Sequence, residues 1–267
     1  MEMKVLPAYV RTLLVIYGKR LLNAVPLFRG KKYVAFALLG RARTGSTLLH
    51  TYLNNHTRVL SLDEFLHPSR TQHLGPEQLL DYLHTTGLKP YSPVIKAVGF
   101  KLFYGWQQES FQKPIWEVFQ QDASLKVIHL KRRNHLRSLV SLKIAQKNQK
   151  WSKPLLDVPE AASAKAIFLT PQECLRHFTV MEEEEAVFDA FFAKQAKLEV
   201  FYEELVQRPQ EVLHRVQDFL GVKRERLETL LARQNPEPLA ELIQNFAELK
   251  AYFQETNYHS FFLEEEA

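Results

Sequence analysis

The chain has one cysteine in 267 residues, Cys174, which excludes an internal disulfide and falls far short of a zinc cluster. A lone thiol fits a reducing compartment, and a cytoplasmic location is expected. The sequence also lacks the run of about 20 apolar residues that spans a bilayer. The short apolar run Thr12–Tyr17, "TLLVIY", lies between Arg11 and Lys19 and carries no small-residue cleavage site. A helical segment within residues 1–30, packed on the rest of the chain, is expected there, with contact to a membrane surface as the alternative. The net charge of +5 is too small for a nucleic-acid binder, and no basic stripe with interleaved aromatics occurs. His50, His56, His67 and His73 lack the helical pairing with a third ligand that zinc needs, so no metal is expected. No repeat, low-complexity tract or linker-like composition divides the chain, and residues 1–267 read as one domain.

Four apolar, β-branched runs read as buried strands: Tyr33–Leu39, Val94–Phe100, Lys126–Leu130 and Leu198–Tyr202. Helical patterns separate them, as in βαβ units with a parallel sheet. Ser46–Asn55 places Leu48, Leu49, Tyr52 and Leu53 on one helical face. Gly75-Pro76-Glu77 and Thr170-Pro171-Gln172-Glu173 carry helix-start signals, the latter a capping box. Pro209–Leu220 and Leu239–Phe253 supply further helices. Trp151–Ala166 has no clear period and is either a lid over a site or a surface excursion.

Between the first strand and the Ser46 helix lies "GRARTGST", residues 40–47. It has the frame of a phosphate-binding loop, G-x-x-x-x-G-K-[ST], with Ser46 in place of the lysine. Gly45 permits close backbone approach, and successive N–H groups at a helix N-terminus favour an anion. No apolar run ends in the aspartate that holds Mg²⁺ in nucleoside triphosphatases; "KVIHLKRR" ends in cations. The expected fold is α/β, a P-loop-like three-layer arrangement with a central parallel β-sheet flanked by helices. A P-loop kinase or other nucleotide-dependent phosphotransferase is the alternative function.

"YVAFALLGRARTGSTLL" resembles the 5′-phosphosulfate loop of sulfotransferases that use 3′-phosphoadenosine 5′-phosphosulfate (PAPS). The carbohydrate-type and bacterial branches of that family, those of the trehalose and nodulation-factor type included, are the ones most similar to it. "VIHLKRRNHLRSLVS" resembles the family's 3′-phosphate site, with Arg133 after a strand and Ser141 eight residues on. "LEVFYEEL" resembles the strand end whose tyrosine, here Tyr202, approaches adenine. The resemblance runs from about Tyr33 to Val222.

It implies sulfuryl transfer from PAPS to an acceptor hydroxyl on a small molecule or saccharide, a sugar or glycolipid in particular. Arg41, Arg43, Thr44, Gly45, Ser46 and Thr47 would hold the 5′-phosphosulfate, and Arg133 and Ser141 the 3′-phosphate. Arg43 stands where cytosolic relatives carry a catalytic lysine, which keeps a cation beside the sulfuryl. Glu64, in "VLSLDEFLHP", is the favoured base, and His67 competes with a pKa better suited to neutrality. Lys101 sits near the family's Lys-Thr-His and is a candidate to contact the bridging oxygen. Oligomeric state is not legible.

Overall fold

The computed structural model describes residues 2–24, 30, 32–154 and 162–263. Helix α1 (Glu2–Ala24) precedes β1 (Val34–Gly40), and α2 (Ser46–Asn55) leads to β2 (Val59–Ser61). Short helices α3 (Pro68–Thr71) and α4 (Pro76–Tyr82) precede β3 (Ala97–Phe103), and α5 (Lys113–Gln121) precedes β4 (Lys126–Lys131). Helices α6 (His135–Asn148), α7 (Ala162–Lys165) and α8 (Pro171–Phe191) lead to β5 (Lys197–Phe201). The chain ends through α9 (Tyr202–Gln207), α10 (Pro209–Leu220), α11 (Leu239–Leu242) and α12 (Phe246–Tyr252).

The five strands form one parallel sheet in the order β2-β3-β1-β4-β5. A parallel sheet is covered on both faces, which is why β1 reads as an unbroken apolar run rather than an alternation. Its side chains still alternate between two cores. Phe36 and Leu38 join Leu49 and Leu53 of α2 and Val212 and Val216 of α10. Ala37 and Leu39 join Trp116 and Phe119 of α5 and Phe188 of α8. A third cluster, with Leu139, Ile144, Phe178 and Phe253, locks α6, α8 and α12 together. The result is the helix–sheet–helix layering expected from the sequence.

Three local expectations shift. The second strand starts at Ala97 rather than Val94, because Ile95 N donates to Ser92 O in a turn, and it runs on through buried Lys101 to Phe103. The three-residue strand β2 went unread, being too short to show a period. The helix expected over Leu239–Phe253 breaks in two. There Ile167 N donates to Leu242 O and Gln244 N to Ile167 O, each at 2.9 Å, and Asn245 Nδ2 donates to Leu169 O at 2.8 Å. Of the irregular segment Trp151–Ala166, residues 155–161 lie outside the described ones. The rest is no free excursion. Pro154 bridges Leu231, and Ala232 N donates to Lys153 O at 3.0 Å.

Candidate functional site

Strands β1, β3, β4 and β5 all deliver their C-terminal ends to one edge, the place where open α/β sheets bind ligands. The β1–α2 loop sits there, braced from inside. The Thr44 hydroxyl, buried, donates to Arg41 O at 2.7 Å, so it holds the loop's shape instead of facing a ligand. A Cβ on Gly40 would fall 2.7 Å from Leu130 O, which is how β1 and β4 come close enough to share the site. Gly45 has φ 94° and lies against the Tyr202 ring, where an added Cβ would meet ring carbon at 2.5 Å. Arg43 adopts φ 73°, a conformation costing a non-glycine residue about 1–2 kcal/mol.

That turn aims the Arg43 side chain along the site. Its Nε and Nη2 donate to Ser141 Oγ at 2.9 and 2.8 Å, and Nη1 to Trp151 O at 2.7 Å. Nη2 also donates to Gln234, whose amide in turn bonds Lys150 O at 2.7 Å. Arg43 therefore ties together the loop, α6 and two covering straps, residues 150–154 and 231–235. Beneath them is a cavity of about 240 Å³ lined by Arg43, Gly45, Ser46, Thr47, Arg132, Arg137, Ser141 and Tyr202. Since Ser141 is taken up by Arg43, this guanidinium stands on the side expected for the 3′-phosphate and not beside Lys101.

Arg133, expected at the 3′-phosphate, does not line this cavity. Its guanidinium lies 3.9 Å over the Phe201 ring, pairs with Glu204 and is half exposed. Strand β4 ends at Lys131 and the chain bends at Arg133, and the residue that lines the cavity is Arg132. Arg132 donates from Nη1 to Arg43 O at 3.0 Å and lies 4.4 Å over the Tyr202 ring. Burial draws its pKa down to about 10, with Tyr202 and Glu203 opposing, which leaves it a cation at neutrality. Its buried Nε meets no protein acceptor, nor does either amide atom of Asn235 in the same cavity wall meet a partner. Buried polar groups in that state are open to bonds from a bound ligand or an ordered water. A second cavity of about 590 Å³ adjoins the first, sharing Arg132, Arg137 and Tyr202, and Arg133 lines this one. Arg41 also leaves the cavity, pairing with Glu184 of α8.

On the other side of the loop stands Lys101, 2% exposed. Its Nζ reaches Thr47 Oγ1 at 2.9 Å, Asp63 Oδ1 at 2.7 Å and Glu64 Oε1 at 3.3 Å. Thr47 holds the position whose hydroxyl binds Mg²⁺ in P-loop nucleotidases. Here an ammonium occupies that place, already paired with two carboxylates. Burial raises the Asp63 pKa, but the Lys101 hydrogen bond more than offsets this and holds it below the usual carboxylate range. Glu64 thus joins the site, and Lys101 with it. His67 does not: its Nδ1 caps α3 by accepting from Ser69 N at 3.1 Å, and its ring packs edge-on against Trp106.

Two further polar groups need an account. His129, Asp189 and Glu199 have metal-like spacing, but Lys131 bonds both carboxylates at 2.8 and 2.5 Å and Lys197 also bonds Asp189. Ammonium groups balance that charge. Glu185 of α8, half-buried, lies 3.9 Å from His135, and its pKa is pushed up to about 7, chiefly by desolvation, with Lys131 opposing and Asp189 adding to the rise. Its folded pKa exceeds the ordinary 4.5, so its contribution to stability is full below about pH 4.5 and is lost as pH rises through about 7. Glu185→Gln is expected to stabilise the protein by about 1–3 kcal/mol at pH 8 and by little at pH 4.5. Urea unfolding at the two pH values checks the sign.

Residues 36–256 match the family model described as the sulfotransferase domain. Nodulation protein H of Rhizobium meliloti is 31% identical over 239 residues, covering 85% of this chain and 94% of its own. The Rhizobium tropici protein of the same name is 28% identical over 239 residues, covering 85% of this chain and 92% of its own. A solved sulfotransferase from Alicyclobacillus acidocaldarius is 15% identical with a TM-score of 0.44, over 82% of this chain and 90% of that one.

Proposed function

Because this chain belongs to the sulfotransferase family, we propose that it takes its sulfuryl group from PAPS and passes it to a sugar or glycolipid hydroxyl. The observation carrying the donor assignment is the arginine-lined cavity, whose buried Arg132 Nε and Asn235 amide await partners beside the Gly45–Thr47 loop. Metal-free anion binding suits this loop, since Lys101 supplies the cation at Thr47. The phosphotransferase alternative has nothing comparable in its favour.

In the proposed reaction the acceptor oxygen attacks sulfur in line with the bond to the leaving phosphate oxygen. The new S–O bond forms as the S–O bond to the 5′-phosphate breaks, and the acceptor proton passes to Glu64. Negative charge building on the bridging oxygen is met by Lys101 and by the loop N–H groups and hydroxyls of Ser46 and Thr47. The Arg43–Arg132–Arg137 side holds the 3′-phosphate, and Tyr202 flanks the base. Asp63 fixes Lys101 between the two halves. The acceptor class rests on the likeness to the trehalose and nodulation-factor branch.

The test is transfer of labelled sulfate from PAPS to a panel of saccharides and glycolipids, run with wild type and Glu64→Gln. The variant is expected to lose about 10²–10⁴-fold in kcat with little change in KM for PAPS. A wild-type rate from Glu64→Gln would give the base role to another group. Absence of transfer from PAPS, with no stabilisation by adenosine 3′,5′-bisphosphate, would sink the donor assignment.

A further inference from the structure

Helix α1 is mounted inside out. A surface helix normally buries its apolar stripe and exposes its polar face. Here the described side chains of α1 that are fully buried, Thr12 and Lys19, are polar, with Val15 and Ile16 half-buried beside them. Asn55 Nδ2 donates to Thr12 Oγ1 at 2.8 Å, and Ser92 N donates to Asn23 Oδ1 at 2.9 Å. Between them Lys19, buried, donates to Asn54 O, His56 O and Val59 O at 2.7, 3.0 and 2.7 Å, capping the C-terminal end of α2. The outward face carries Val10, Leu14, Tyr17 and Leu21, exposed by 47, 69, 56 and 72%.

The spacing of four, three and four residues puts those side chains within an arc of about 60°. Arg11 and Arg20, both exposed, stand on either side of the stripe, and the Arg20 guanidinium lies 5.6 Å over the Tyr17 ring. Arg11 is steadied by a bond from Nη2 to Arg226 O at 3.2 Å. No described helix is long and apolar enough to cross a membrane, so α1 can only lie along one.

We propose that α1 docks the protein on an anionic lipid surface, the stripe entering the boundary between headgroups and acyl chains and Arg11 and Arg20 meeting lipid phosphates. Charge complementarity favours lipid over a second copy of the chain. A two-fold contact through this narrow stripe would set each arginine rim against its own copy, and four side chains fall short of the roughly 800 Å² per partner of a stable interface. Helix α1 contacts the last residues of α2, whereas the anion loop is at its first, so docking and catalysis are separable.

The experiment is cosedimentation of the full chain with vesicles of phosphatidylcholine alone or with about a third phosphatidylglycerol, at ~0.1 M salt. Binding to the anionic vesicles is expected, weakening as salt is raised. The double variant Leu14→Asp, Leu21→Asp should need at least about tenfold more lipid for half-binding, with its unfolding midpoint and sulfate transfer in solution unchanged. Lack of binding to the anionic vesicles, or equal sedimentation of the double variant, overturns the proposal. Equal binding to neutral vesicles overturns the anionic part. Concentration-dependent dimerisation that the double variant abolishes would assign the stripe to a second copy instead.

Discussion

Lys101→Met is expected to lower kcat by about 10²–10³-fold, the scale on which loss of one donor to a developing oxyanion is felt. Methionine keeps the length and the apolar contacts of a side chain that is 2% exposed. What disappears is the charge that joins Thr47, Asp63 and Glu64. Removing it takes the cation from the leaving oxygen, which lowers kcat at all pH values. Asp63 is then no longer held below the usual carboxylate range. Single-turnover rates read the first effect, and titration of Asp63 in the two proteins reads the second. A variant with near-normal kcat would show that Lys101 only anchors the edge of β3.

The second large effect separates two neighbours. Arg132→Ala is expected to weaken adenosine 3′,5′-bisphosphate binding by about 10²-fold, since charged hydrogen bonds are worth about 1.5–3 kcal/mol each. Arg133→Ala should change it by less than about threefold, because the exposed pair it makes with Glu204 is worth little. Calorimetric titration of the two variants gives the ranking. Arg132→Lys serves as a control that keeps the charge and loses the Nε donor, and unfolding without ligand tests whether the Arg132 contacts to Arg43 and Tyr202 matter for the fold. The reverse order would return the 3′-phosphate to Arg133.

The same pair shows where sequence reading ran out. A spacing of eight residues selects Arg133, but spacing says nothing about which way the chain is facing when β4 ends. Arg132 and Arg133 lie beyond the end of β4, in the turn into α6, where no periodicity tells which of them lines the cavity. The β1–α2 loop was legible because glycine, hydroxyl and helix-start requirements coincide within a few residues. Glu64 and Lys101 were each legible as candidates, while their meeting was not, since it depends on β2 and β3 pairing in register. Arg137, Gln234 and Asn235 had no local signature at all. Arg137 reaches the cavity from α6, and Gln234 and Asn235 through the two straps, residues 150–154 and 231–235, a contact between segments far apart in the chain. Arg41 turns to Glu184 of α8, a partner far along the chain that no local pattern announces.

Strand β1 lies third in the sheet, between β3 and β4, although it is the first strand made. During synthesis it must wait for Phe103 on one side and Leu130 on the other to leave the ribosome, and the anion loop waits longer still, for Tyr202. From residue 40 until residue 130 is made, about a third of translation, its apolar run is unpaired on at least one side, so a nascent chain stalled before β4 is the species most in need of a chaperone.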